Sequence, residues 1–188
     1  MDEVTVKLTA IFQIVNDWLK FTEAKNAILL TFSGAGITAI ITYLSASSNI
    51  LQSLRIGLLI AITFLCFVSL ICTISFLPKT NLENIMWLKG KPTRKKKLLD
   101  SDNLYYFDHL QKYNSTEFLE SISRLYFENK IQPPYRKDYL DISSQIVINA
   151  EIASIKLMLS TISVWLLIIS MCSIPSALIL SLIIYKSL

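Results

Sequence analysis

Few side chains in this chain of 188 residues have a type and spacing that could do chemistry, with one histidine and three cysteines among them. His109 follows Asp108, an imidazole beside a carboxylate that could pass a proton. An acid–base pair that does work needs a third group to orient it or to receive the proton, and none is in view, so this pair reads as solvated or packed within a domain. Cys66, Cys72 and Cys172 all lie inside apolar blocks, where a thiol acts as a small soft hydrophobe and no disulfide framework is expected. No spacing pairs His or Cys with carboxylates as a metal site requires. No serine sits in a nucleophile elbow, and no glycine-rich turn precedes a phosphate-binding lysine. The chain is not expected to be an enzyme or to hold a metal or cofactor.

Two further clusters bear on binding. The run Arg94, Lys95, Lys96, Lys97 admits three readings: a topology determinant beside a span, a contact for anionic lipid, or a phosphate site for a nucleotide. Position beside a span favours the first. Tyr105, Tyr106 and Phe107 could stack on a base, with Arg94 and Lys95 supplying charge, or could fill a small helical core. Nothing points to DNA or RNA.

The elements that must position these residues are set by composition. Hydrophobic residues make up 53%, charged residues only 17%, and mean hydropathy is +0.50, above an ordinary soluble domain. The apolar residues are also blocked together. Between Lys25 and Arg55 lie 29 uncharged residues, interrupted by the small polar stretch Ser45 to Asn49, and a second run extends from Ile56 to Pro78. Spans at about 26–44 and 54–76 therefore form a hairpin. A third block, Leu157 to Tyr185, has 29 residues and is divided by Pro175. It is either one kinked span or a span followed by a short second piece, and one kinked span is the expectation. The first 25 residues, with four acids and three lysines, do not resemble a signal peptide and are expected to remain on the protein.

Net charge is +4 and pI about 8.9, which in a membrane protein bears first on orientation. The Ser45 to Ser53 connection has no Lys or Arg, whereas Lys79, Lys89, Lys91 and the Arg94 to Lys97 run follow the second span. The N-terminus and residues 79–156 are thus expected to be cytoplasmic and the C-terminus outside. Residues 1–25 show helical period, with Val4, Leu8, Ile11, Val15 and Leu19 on one face. That face suits either the membrane surface or packing against the cytoplasmic segment. The segment itself holds 78 residues and a single glycine, Gly90, which predicts helices. Asn114 and Glu117 have capping-box spacing, with Phe118, Ile122, Leu125 and Tyr126 following at helical intervals until Pro133 and Pro134 stop the helix. A last helix starts near Arg136 and runs into the third span. The fold class is an all-α membrane protein: 1–25 amphipathic helix, 26–78 hairpin, 79–156 helical domain, 157–188 C-terminal span.

At 100° per residue the last helix carries a polar stripe that includes Asp138, Asp141, Gln145, Asn149, Lys156, Ser160, Ser163, Ser170 and Ser181. Such a stripe serves ordinary helix packing, or in a homo-oligomer faces a central axis and lines a water-filled path. Thr31, Ala35 and Ala39 in the first span, and Gly57 with Ala61 in the second, are small residues four apart that permit close helix approach.

Glu23-Ala24-Lys25-Asn26-Ala27 entering a span, Asn103 to Phe107, the Ser115 to Leu119 helix start, and Gln145 to Lys156 leading into the last span together resemble the membrane-effector family of bacterial Pycsar anti-phage systems. The resemblance covers most of the chain. It implies a bacterial inner-membrane effector, coupled to a nucleotide cyclase and activated by a cyclic pyrimidine nucleotide such as cUMP or cCMP, that damages the membrane and halts the infected cell. The rival expectation is a constitutive scaffold that holds a partner at the bilayer and never conducts. The cytoplasmic residues leave no room for a β-barrel nucleotide-binding fold, so any ligand site is expected to be helical.

Overall fold

The computed structural model describes residues 2–47, 50–77 and 98–186, with side chains through 183. All of its regular structure is helical: α1 (Glu3–Ala46), α2 (Gln52–Ser75), α3 (Phe107–Leu110), α4 (Ser115–Tyr126) and α5 (Lys137–Lys186). Among the described residues there is no strand. The chain divides into two compact units, one built from 1–22 and 78–157 and the other from 23–77 and 158–188. Here they are called the core unit and the span unit. Helices α1 and α5 contribute to both.

The amphipathic N-terminal segment and the first span are one helix without interruption, because no proline or turn signal lies between Glu3 and Ala46. At 44 residues α1 is about 66 Å long, roughly twice what a hydrocarbon core of about 30 Å requires. Helix α5, with 50 residues, likewise continues through Pro175, whose ring removes one backbone donor without ending the helix. Three helices, α1, α2 and α5, are long and apolar enough to cross a membrane.

In the core unit the apolar face of α1 is not presented to lipid. Leu8, Ile11 and Val15 are completely buried, and they share one core with Leu104, Phe107, Leu110, Phe118, Leu119, Ile122 and Ile146. Asn114 caps α4 by accepting from the Glu117 N–H at 2.8 Å, while the Glu117 carboxylate accepts from the Asn114 N–H at 3.0 Å. The end of α4 corrects the sequence expectation. It stops at Tyr126, well before Pro133, because Glu128 and Asn129 take left-handed backbone angles (φ 49° and 61°) that turn the chain. The Ser123 hydroxyl donates to the Ile131 carbonyl at 2.7 Å and fixes the loop that follows.

In the span unit close approach depends on residues without bulk. A Cβ at Gly57 would lie 2.8 Å from the Ala177 Cβ and 3.2 Å from the Ser173 carbonyl oxygen, so only glycine lets α2 and α5 meet there. Gly36 plays a milder version of this role, since its Cβ would stand 3.0 Å from a Leu65 methyl. Leu29, Val68 and Cys72 form one buried cluster, and Ile40, Leu58, Ala61 and Leu65 another.

Candidate ligand and membrane sites

Around residues 99–113 the chain folds over one buried carboxylate. Asp102 accepts from Lys112 Nζ at 2.7 Å, from the Leu99 N–H at 3.1 Å and from the Tyr113 hydroxyl at 3.1 Å. Burial pushes the Asp102 pKa up, but these three donors, led by Lys112, outweigh it and leave the carboxyl below its ordinary value. Tyr113 moves the other way. Its own burial and the neighbouring Asp102 charge raise it to about 12. The imidazole of His109 belongs to the same corner: Nδ1 accepts from the Asn103 N–H at 2.8 Å and lies 3.8 Å from an Asp102 oxygen. The acid next to His109 in space is therefore Asp102, while Asp108 accepts from the Gln111 amide. Asp108 and His109 are adjacent in sequence but sit about 100° apart on the short helix α3, which gives their side chains different surroundings.

A second tie closes the start of α5 on the N-terminus. Asp2 accepts from Arg136 Nη1 and from the Tyr139 hydroxyl, each at 2.7 Å. The Thr5 hydroxyl and N–H, then Tyr139 and Arg136, hold the Asp2 carboxyl well below the usual carboxylate range. Further along, Asn149 Nδ2 donates to Asn16 Oδ1 at 2.8 Å.

Of the three aromatics considered for stacking, Phe107 is core, 2% exposed, with its centroid 5.2 Å from the Trp18 ring. Tyr106 is 37% exposed and touches Trp18, Phe107 and His109 by ring contacts. Tyr105 meets Tyr126 edge to face at 6.4 Å, and Lys7 Nζ stands 5.0 Å from the first ring and 4.0 Å from the second. The sequence pattern marks Tyr126 only as part of the periodic face of α4 and does not single out Lys7. They are far from Tyr105 along the chain, and only the pairing of α1 with α4 brings them together. A concavity of about 400 Å³ lies elsewhere on this unit, lined by Phe12, Asp141, Ile142, Ser144 and Gln145. The basic run with Arg94 and Lys95, and the preceding lysines, lie outside the described residues.

The polar stripe of α5 does not stay on one kind of surface. Gln145 is exposed, Asn149 pairs with Asn16, and Lys156 is 7% exposed. Ser160, Ser163 and Ser170 are buried within the protomer. The Cys72 thiol donates to Ser163 Oγ at 3.6 Å, and Ser170 donates to the Ala61 carbonyl at 2.9 Å. Within one chain Ser163 and Ser170 pack α5 against α2. Ser181 lines an open apolar groove of about 690 Å³ between those helices, together with Ile56, Ile60, Ile169 and Cys172. Of the small residues, Gly57 and Ala61 are buried at the α2–α5 contact, whereas Thr31, Ala35 and Ala39 are all exposed on α1.

Among the described residues no group of three or more His, Cys, Asp or Glu could hold a metal ion. Neither a curated protein nor a solved structure matches the chain. A family model described as the Pycsar effector protein domain, PycTM, matches residues 7–184, which takes in the core of one unit and the three spanning helices of the other. That family is non-enzymatic. With three helices able to span and a match over nearly its whole length, the chain belongs to the Pycsar effector domain family and is a cyclic-nucleotide-linked anti-phage membrane effector.

Proposed function

We propose that the protein oligomerises in the bacterial inner membrane and breaches it when a cyclic pyrimidine mononucleotide, cUMP or cCMP made by a partner cyclase, binds the core unit. The single observation that supports this most is the extent of the family match, residues 7–184, over a helical core and three spans. Orientation follows from charge: the lysine-rich segment after α2 keeps that side, with the N-terminus and the core unit, in the cytoplasm. The ligand's ring and phosphate find matching chemistry at Tyr105, Tyr126 and Lys7, where two aromatic faces flank an ammonium, with Tyr106 close by in sequence. Subunits meet through the exposed Thr31, Ala35 and Ala39 edge of α1, since small residues let helices approach. A ligand can drive the change only by binding the breaching state more tightly than the resting one.

The test is release of dye and collapse of potential from liposomes carrying the full chain. cUMP or cCMP is expected to trigger both, purine cyclic nucleotides to do so weakly, and Lys7→Ala or Tyr126→Ala to demand more ligand. Liposomes that stay sealed across pyrimidine, purine and oligonucleotide ligands would overturn the reading. A specific observation favours the rival in that case. Ser160, Ser163 and Ser170 are spent inside the protomer, so α5 offers little polar edge for a conducting path, as a non-conducting scaffold would require.

A further inference from the structure

Inside the span unit one level draws a buried polar side chain from each of the three helices. Asn26, Ser75 and Ser160 are 1%, 1% and 0% exposed, and they come from α1, α2 and α5 respectively. Asn26 Nδ2 donates to Ser75 Oγ at 2.7 Å, which sets the first two at the same height. The third follows from the register of α2 against α5. These helices run antiparallel, since Ser170 bonds to Ala61 and Ser173 to Gly57, the numbers rising on one helix as they fall on the other. Cys72 faces Ser163. Three residues on from Cys72 and three back from Ser163 move the same way along the axis by about 4.5 Å, which brings Ser75 and Ser160 level.

At this level two atoms stand out. Asn26 Oδ1 and Ser160 Oγ are both buried without a hydrogen-bond partner among the described residues. Ser53 Oγ of α2 and Ser143 Oγ of α5 share that condition at other heights, whereas the buried Ser33 donates back to the Leu30 carbonyl of its own helix. Leaving an amide oxygen and a hydroxyl unpaired in apolar surroundings costs about 1–3 kcal/mol each. An oxygen that only accepts and a hydroxyl that both donates and accepts are matched by one small molecule with two protons and two lone pairs.

We propose that Asn26, Ser75 and Ser160 form an internal water-binding site, in which ordered water donates to Asn26 Oδ1 and bonds to Ser160 Oγ. The site gives the span unit a hydrated level between α1, α2 and α5. It is independent of the ligand and of whether the protein breaches membranes.

The experiment uses the full chain, ¹⁵N-labelled at asparagine, in lipid nanodiscs, and reads cross-relaxation from water to the side-chain amide protons. The Asn26 signals are identified by their loss in Asn26→Leu. A long-lived cross-peak between water and the Asn26 amide is expected, lost in Ser160→Val and restored in Ser160→Thr, which returns the hydroxyl. Absence of the cross-peak in the natural protein overturns the site, and so does a cross-peak that survives Ser160→Val unchanged. If a variant fails to insert, an experimental map that resolves ordered solvent decides the matter: density within hydrogen-bonding distance of both oxygens supports the site, and a dry level there overturns it.

Discussion

The two units bury polar groups by opposite means. In the core unit a full charge is taken inside and compensated, Asp102 being ringed by an ammonium, a phenol and a backbone N–H. In the span unit the buried polar residues that contact α2 are an amide and hydroxyls, and they bond to one another, to a thiol or to backbone carbonyls. The large side chains are distributed just as differently. Phe118, Leu119 and Ile122 are wholly buried in the first unit, while Trp165, Ile28 and Leu182 are 62%, 68% and 71% exposed in the second. Water drives bulky apolar groups together, so the core unit is organised by size. Lipid gives no such drive, and helices there meet through small residues and hydroxyls.

The sharpest way to break this contrast is to remove the buried charge. Asp102→Ala leaves Lys112 uncompensated and is expected to cost the core unit about 3–5 kcal/mol, read from Trp18 fluorescence during denaturation with Trp87 and Trp165 replaced by Phe. Helical signal from the span unit should persist, and its joint collapse would mean that the two units do not differ in what holds them. Next in size is Gly57→Leu. Overpacking against Ala177 and Ser173 is expected to cost about 1–3 kcal/mol and to part α2 from α5, seen as weaker crosslinking between cysteines placed on the two helices.

Titration sharpens the same contrast, because the two shifted groups of the Asp102 corner act in opposite directions. The lowered pKa of Asp102 stabilises the core unit above the ordinary carboxylate value of 3.8, and the contribution is lost as pH falls through the folded-state value. The raised pKa of Tyr113 stabilises it below pH 10, and that contribution is lost as pH rises from 10 toward about 12. Core-unit stability should therefore fall at both extremes, and Tyr113→Phe should lessen the alkaline limb, to which Tyr135 and Tyr139, also raised, contribute the rest. The smallest effects belong to the membrane hydroxyls. Ser163→Ala and Ser170→Ala are each expected to cost about 0.6 kcal/mol in the bilayer, and a loss several times larger would place them outside ordinary helix packing.

Much of this was legible in the residues. The uncharged runs located the three spans, and Asn114 with Glu117 marked the start of α4 three residues apart. The period of Leu8, Ile11 and Val15 showed that one face of α1 had to be covered, though not by what. The end of α4 was missed because the stop at Tyr126 lies in left-handed angles at Glu128 and Asn129, which no glycine announces. The α5 stripe showed the same limit. Helical periodicity grouped Ser160, Ser163 and Ser170 on one side without saying whether that side turns to its own α2 or to another chain.

What the sequence determined by itself was therefore one-dimensional: which stretches are apolar enough to leave water, which are helical, where the charge lies, and which family the pattern resembles. These follow from local composition and from a period of 3.6 residues, which need no knowledge of the partner. Only the tertiary structure decided that Asp102, and not Asp108, is the acid beside His109, that Lys7 lies over Tyr105 and Tyr126, and that Asn26 meets Ser75 across 49 residues of chain. A hydrogen bond or a cation over a ring depends on distance in space, and that distance exists only once separate helices have been packed in a particular register.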